Sequence, residues 1–126
     1  MQPQSLCTMP NQTVPNQLDN WHVDKLWQIA HNHTKAEISV EYLWHKYKNH
    51  WYWFDSEDEK INYDKFLHHY KRCEEANLNY PILIFPDDRI ADGVHRLVKA
   101  KLLGLKTISA IIFTELPEVD FVTKDT

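Results

Sequence analysis

The fold is decided by residues 90–108, which read Ile90-Ala-Asp-Gly-Val-His-Arg-Leu-Val-Lys-Ala-Lys-Leu-Leu-Gly-Leu-Lys-Thr-Ile108. This pattern predicts a brief strand that ends at Asp92, a tight turn at Gly93, and a helix with one apolar face. Gly104 follows the last helical turn, where a glycine supplies the left-handed residue that ends a helix at low cost. The stretch therefore predicts one helix with a glycine at each end.

Gly93 and Gly104 are the only glycines of the 126-residue chain. Because glycine adopts positive φ without strain, Gly93 marks a point where the backbone needs that conformation or where a ligand must approach closely. The simpler interpretation is that Gly93 only relieves a tight turn between a strand and a helix. The sequence by itself leaves both interpretations open.

The residues around Gly93 favour an anion site. The N-terminus of a helix presents N–H groups without intrahelical acceptors and the positive end of the helix dipole. Arg96 brings a planar cation suited to phosphate, and His95 can donate or carry a proton. A cation in the first turn opposes the dipole, so Arg96 needs an anionic partner. That partner is either Asp92 or a ligand phosphate, and the residues alone do not decide between them.

Residues 90–108 resemble the ParB/sulfiredoxin superfamily, whose members show a strand, a Gly-x-His-Arg or Gly-x-Arg-Arg turn, a helix ending at Leu-Gly and a closing strand. The chain from about Trp21 to Val122 also resembles a group of small, stand-alone bacterial ParB-like proteins. The resemblance implies an α+β fold, with a small mixed β-sheet and packed helices. It also implies that the glycine turn is a nucleotide-phosphate cradle.

The same resemblance implies roles for five residues. Gly93, Val94, His95 and Arg96 are the expected cofactor-binding residues, and the expected ligand is a nucleoside triphosphate or diphosphate with magnesium. Asp92 and His95 are candidate catalytic residues. Asp92 would orient Arg96 or hold the magnesium ion, and His95 would assist proton or charge transfer. The expected reaction is phosphoryl transfer or nucleotide hydrolysis, although the resemblance does not itself establish an enzyme.

A third candidate catalytic residue comes from the predicted strand 35–40. In the kinase-like relatives a carboxylate from this region looks like the base that activates a hydroxyl, which makes Glu41 the candidate and Glu37 its alternative. Sulfiredoxins differ from this chain, because their catalytic cysteine stands where this sequence has Val94. Valine offers no nucleophile, so sulfinic-acid reduction is not expected.

Two other functions stay open at this point. One is a non-catalytic accessory or protein-interaction module, since few carboxylates are well placed to act as a base. The other is a DNA-associated protein similar to the nuclease-like relatives. A formal net charge of −4 argues against nucleic acid as the main partner, because a duplex-DNA binder usually carries a basic face.

The chain is predicted to form one domain over residues 20–122, between a flexible N-terminal tail (1–19) and a C-terminal tail (123–126). The polar start of the chain and the lack of a long apolar run predict a cytoplasmic protein without a membrane partner. The sequence does not predict the oligomeric state. Two cysteines do not make a disulfide framework. The other predicted elements are a helix at 23–30, a helix at 60–77, and strands at 80–85 and 108–113.

Aromatic and histidine residues outside the turn allow two interpretations each. The aromatic, lysine-rich stretch 42–54 either fills the core or forms a platform on which a nucleotide base stacks. His31 and His33 either bind a metal or lie in a solvated loop. On the helix at 60–77, one member of the pair His68 and His69 can reach the site. Apolar residues repeat along one face of that helix at Tyr63, Phe66, Leu67, Tyr70, Cys73 and Ala76.

Overall fold

The computed structural model describes residues 5–48 and 62–124, which form a mixed α+β structure. The predicted fold class is confirmed at this level. Helices and strands alternate irregularly along the chain, as is usual for α+β proteins. In chain order the elements are β1 (Leu6–Pro10), β2 (Gln17–His22), α1 (Val23–Ala30), β3 (Ala36–Ser39), α2 (Val40–Tyr47), α3 (Tyr63–Glu75), β4 (Ile82–Ile84), β5 (Ile90–Asp92), α4 (Val94–Leu102), β6 (Thr107–Ile112) and β7 (Phe121–Lys124).

The strands form two sheets. One has three strands in the order β1-β2-β7, and both of its strand pairs are antiparallel. The other has four strands in the order β3-β6-β4-β5, with antiparallel pairing of β3 with β6 and of β4 with β5. No helix among residues 5–48 and 62–124 is long and apolar enough to cross a bilayer.

The chain divides into two compact units, whose boundaries fall after Thr34, Ile82, Asp92 and Ala110. The first unit contains both ends of the described chain together with residues 83–92, and the second contains the two remaining segments. The core of the first unit is apolar and strongly aromatic. Its buried members are Cys7, Trp21, Leu26, Ala30, Leu83, Phe85, Ala91, Ile111 and Phe113.

Residues 6–19, which the sequence predicts as part of a flexible N-terminal tail, contribute to the β1-β2 hairpin. Asn11 closes the turn by accepting hydrogen bonds from the backbone N–H groups of Thr13 and Val14. Asp19 is buried and accepts from the side-chain amides of Asn11 and Gln17, which satisfies its carboxylate. The Asn11 and Gln17 side chains thus bind Asp19 within the hairpin.

The opposite end of the chain also differs from its prediction. Strand β7 extends to Lys124 and pairs with β2, so it includes residues 123 and 124 of the predicted C-terminal tail. Asn20 links the two strands by donating from its amide to the Phe121 carbonyl and the Thr123 hydroxyl. Helix α1 begins after its N-cap residue His22, whose side chain makes no capping hydrogen bond.

The helix and turn of residues 86–104 follow the prediction closely. Asp87 accepts a hydrogen bond from the backbone N–H of Arg89, two residues on, as expected of aspartate in a turn. Helix α4 follows Gly93, and Gly104 has φ 71°, the left-handed conformation expected just beyond a helix. The periodicity of residues 90–108 is therefore sufficient to place these elements.

Residues 40–77 differ more from expectation. The first part of the aromatic stretch 42–54 forms helix α2, whereas its later part lies outside the described residues. Helix α3 is confirmed and buries Cys73, but other apolar residues of its predicted core face are exposed.

The two cysteines are buried. Burial raises the pKa of the Cys73 thiol, and it raises the pKa of the Cys7 thiol to about 12. Both cysteines are free thiols.

Asp120, just before β7, gives the fold a component of stability that depends on pH. The Lys25 ammonium donates to Asp120 Oδ1 at 2.6 Å, and this bond, with one from the His22 backbone N–H, holds the pKa of the carboxyl below its usual value. A carboxyl with a lowered pKa in the folded state stabilises above its unfolded pKa and loses that contribution as the pH falls through the folded value. Lys25 is about half exposed, so solvent screening keeps the effect small.

We therefore expect Asp120→Asn to be less stable than wild type at neutral pH, with a difference that shrinks below the ordinary carboxyl pKa of 3.8. Urea unfolding followed between neutral pH and about pH 3 measures this convergence. Glu118→Gln is the matched control, because Glu118 is a neighbouring carboxylate without these hydrogen bonds. A difference between Asp120→Asn and wild type that does not change with pH would contradict the assignment.

Candidate functional site

The turn before α4 depends on the absence of a side chain at Gly93. This residue has φ 109°, a conformation that residues with a Cβ adopt only with strain. A Cβ placed on it would lie 2.6 Å from Cγ2 of Ile82 and 3.0 Å from Nη2 of Arg96. The close approach at Gly93 is therefore made by the protein's own side chains. On the side that a Cβ would occupy, the glycine is therefore explained by these two side chains. This favours the simpler interpretation, in which Gly93 allows a tight turn.

The N-terminus of α4 nevertheless has the composition of an anion site. Gly93 is its N-cap residue and has no side chain with which to accept a hydrogen bond. The first turn holds no acidic residue, so no carboxylate within it offsets the helix dipole. The N–H of Leu97 donates to the Gly93 carbonyl at 3.1 Å. The N–H groups of Val94, His95 and Arg96 belong to the first turn, where an α-helix provides no intrahelical acceptor.

Arg96 is held in place by the backbone of the segment before β4. Its Nη2 donates to the carbonyl of Pro81 at 3.2 Å, and its Nε is buried. This contact uses one of the five N–H donors of a guanidinium and fixes the plane of the group. The partner seen here is a neutral carbonyl, so the predicted anionic partner of Arg96, Asp92 or a ligand phosphate, stays a prediction. Pro81 could not be predicted as its partner. Every residue has a backbone carbonyl, so the sequence does not show which one accepts a hydrogen bond.

His95 contacts His69 of α3, with 3.1 Å between His95 Nε2 and His69 Nδ1. The ring planes differ by 10° and the centroids are 5.4 Å apart. The distance between the ring centroids is longer than the N···N distance by about two imidazole ring radii, one for each ring. The two nitrogens must therefore point at each other along one line, as in an N–H···N hydrogen bond between nearly coplanar rings.

The collinear arrangement distinguishes a hydrogen bond from a chelate. Two histidines that share one metal ion direct their lone pairs at a common point beside the N···N line, which brings the centroids closer together. No group of three metal-ligating side chains occurs within residues 5–48 and 62–124. Of the adjacent pair His68 and His69, it is His69 that reaches the turn residues.

Asp92 and Trp27 both belong to the first unit, and the indole N–H of Trp27 donates to Asp92 Oδ2 at 2.8 Å. This hydrogen bond orients the Asp92 carboxyl group. The predicted roles of Asp92, orienting Arg96 or holding magnesium, stay predictions. Trp27 lies 65 residues away in sequence, and no pattern near Asp92 indicates it.

Glu41 contacts His45, another residue of α2, at the exposed surface of that helix. Its carboxylate is 3.6 Å from Nε2 of His45, one helical turn along, and 78% of the side chain is exposed. Glu37, the alternative, accepts a hydrogen bond from the Ser109 hydroxyl at 2.7 Å. Neither carboxylate makes a described contact with the first turn of α4. The assignment of Glu41 as a catalytic base therefore gains no support from these contacts and stays a prediction.

Among the remaining candidates, His33 contacts the carbonyl of Ile29 through Nδ1 and lies against the ring of Phe113. These contacts explain the position of His33 without a metal, although they do not test whether the segment binds one.

No protein-family model matches the chain, and no curated protein and no solved structure is detectably similar to it. The resemblance of residues 90–108 to the ParB/sulfiredoxin superfamily accordingly stays a prediction.

Proposed function

We propose that the first turn of α4 binds the phosphate groups of a nucleotide. The observation that carries this proposal is the combination of an N-cap glycine, a first turn without an acidic residue, and Arg96 and His95 within that turn. Backbone N–H groups of Val94, His95 and Arg96 would donate to the phosphate oxygens, and the guanidinium would add charge-assisted bonds. An anion at this point would offset both the helix dipole and the cation.

The geometry supports binding more directly than it supports catalysis. Phosphoryl transfer or hydrolysis needs a group that positions or deprotonates the attacking oxygen. Glu41, the expected base, contacts its own helix, and the distal nitrogen of His95 contacts His69. We therefore place nucleotide binding first. Phosphoryl transfer, with Asp92 and a magnesium ion, is the extension to test once a ligand is known.

The test is a thermal-shift panel of nucleoside mono-, di- and triphosphates, each with and without magnesium. We expect at least one nucleotide to raise the melting temperature of the wild type, and Arg96→Ala to lose this rise. A ligand at one hundred times its dissociation constant stabilises by about 2.7 kcal/mol, which such an assay detects readily. Isothermal calorimetry on the same variants then measures the loss of affinity.

Arg72→Ala is the matched control, because it removes an exposed arginine from α3 without touching the α4 turn. This variant should keep the full nucleotide-induced rise. Arg96→Lys is the second variant, since it keeps the charge but lacks the planar fork that fits phosphate. A panel without any rise in the wild type would contradict the proposal. An equal rise in wild type and Arg96→Ala would place the ligand elsewhere.

A further inference from the structure

Helix α3 carries an exposed apolar surface that the proposed function does not use. It consists of Tyr63, Phe66, Leu67 and Tyr70, which we call the α3 stripe. Their exposed fractions are 93%, 54%, 62% and 49%, respectively. The spacing i, i+3, i+4, i+7 places all four on one side of the helix. Phe66 and Tyr70 also lie with nearly parallel rings, 6.4 Å apart, which makes the stripe one continuous patch.

The α3 stripe is distinct from the side of α3 that packs within its own unit. Cys73 is buried on that side, and His69 contacts α4 from it. Lys99 of α4 donates from Nζ to the carbonyls of Glu74 and Ala76 at the end of α3. At about 100° per residue, the stripe is centred roughly a quarter turn away from this packed side. The helix therefore presents one side to its unit and a second apolar side outward.

Two of the charges beside the stripe complement each other across a two-fold axis, although Lys71 also lies 4.0 Å from the exposed carboxylate of Glu75 on its own helix. Asp64 and Lys71 lie seven residues apart, so both border the same edge of the stripe, about two helical turns from each other. If a second α3 packs antiparallel across a two-fold axis at the centre of the stripe, the same edges of the two helices face each other. Asp64 of one helix then lies within about 3 Å, along the axis, of Lys71 in the other.

We propose that the α3 stripe is the interface of a two-fold symmetric homodimer. A C2 interface uses the same patch on both copies, and such a patch must complement itself. The stripe meets this requirement in shape and in charge, because apolar residues face apolar residues and each Asp64 faces a Lys71. In a parallel two-fold pairing, by contrast, the edges that carry Asp64 and Lys71 would lie on opposite sides of the interface, so these ion pairs could not form. The charge pattern thus selects a second antiparallel copy of α3 as the occupant.

The size of the stripe sets the strength expected of the dimer. Aromatic side chains bury roughly 150–250 Å² each when fully covered. Scaled by the exposed fractions, the four residues would bury on the order of 1,000 Å² over both copies, near the lower limit of specific interfaces. We therefore expect a dimer that dissociates on dilution, with a dissociation constant in the micromolar range.

Sedimentation equilibrium of the full chain over a range of concentrations tests the proposal. The wild type should fit a monomer–dimer equilibrium, and Leu67→Asp should weaken it at least tenfold, because Leu67 lies next to the two-fold axis. Leu102→Asp is the matched control. It adds the same charge at a leucine of α4 that is 70% exposed. This control should keep the dissociation constant of the wild type.

A charge-swap series tests the antiparallel geometry. Asp64→Lys and Lys71→Asp should each weaken the dimer several-fold, and the double variant should restore it to within about twofold of wild type. The double variant places a cation near the start of α3 and an anion near its end, which opposes the helix dipole twice. A loss of helix stability therefore cannot account for the restoration. The restored dimer should also weaken with added salt.

Three results would overturn the proposal. The first is a wild type that stays monomeric at every concentration. The second is a dimer that Leu67→Asp leaves unchanged, which would mean that another surface forms the dimer. The third is a dimer that survives both Leu67→Asp and the charge swaps but is lost with Leu102→Asp, because the interface would then lie on α4.

Discussion

Replacing Trp21 by alanine is expected to lower the free energy of unfolding by about 3–5 kcal/mol. Trp21 is fully buried on β2, and its ring centroid lies 4.9 Å from that of Phe85, whose ring in turn contacts Phe113. Truncation removes the largest buried side chain of the first unit and leaves a cavity that these neighbours cannot close. Since domains of this size are stable by only about 5–15 kcal/mol, the variant should be marginally folded.

Trp21→Phe separates packing from hydrogen bonding at the same position. The indole N–H donates to the Pro117 carbonyl at 3.0 Å, within the core. Phenylalanine keeps most of the apolar volume but leaves that buried acceptor unsatisfied, at a cost of about 1–3 kcal/mol. Urea unfolding followed by circular dichroism ranks the two variants against wild type. A Trp21→Ala variant within about 1 kcal/mol of wild type would contradict the assignment of Trp21 to the core.

The second large effect is expected at the α4 turn, where Gly93→Ala should cost about 2–4 kcal/mol. Two penalties combine here. A residue with a Cβ is strained at φ 109°, and the new methyl would lie 2.6 Å from the Ile82 side chain. Gly104→Ala is the matched control. It has φ 71° but no atom within 4 Å of the added Cβ, so it should cost only the backbone strain, about 1–2 kcal/mol.

The Ile82 contact can be isolated by a double-mutant cycle. Ile82→Ala removes the Cγ2 methyl group that the new Cβ would meet at 2.6 Å but keeps the Cβ atom that it would meet at 2.9 Å. Gly93→Ala should therefore cost less in an Ile82→Ala background than in wild type, and the two changes should not be additive. Equal costs for Gly93→Ala and Gly104→Ala, measured by urea unfolding, would show that Ile82 moves aside freely. The tight turn would then rest on backbone conformation alone.

The elements that could be predicted from the sequence are those specified by local patterns. Helix α4 has its apolar spacing and both flanking glycines within residues 90–108, and these signals suffice. The β1-β2 hairpin could not be predicted in the same way, although its own pairing is local, because its polar residues resemble those of a tail and β2 also pairs with the distant strand β7. Its strand β2 aligns Asn20 with Phe121, about a hundred residues away. Polar residues that hydrogen-bond across such distances have the same composition as a disordered tail.

The same distinction applies to the candidate site. Gly93, His95 and Arg96 lie within a single turn, so their proximity follows from the helix alone. The groups that fix them do not follow from it. His69 comes from another helix, and a backbone carbonyl holds Arg96. Sequence reasoning therefore finds the residues of a turn more readily than the groups that orient them.

The collinear contact between His95 and His69 couples the tautomers of the two rings. If His95 Nε2 donates, a neutral His69 carries its proton on Nε2, at the far end of the pair. If His69 Nδ1 donates instead, a neutral His95 carries its proton on Nδ1. When both rings are neutral, the contact therefore allows only two arrangements of their protons, and the tautomer of one ring fixes that of the other.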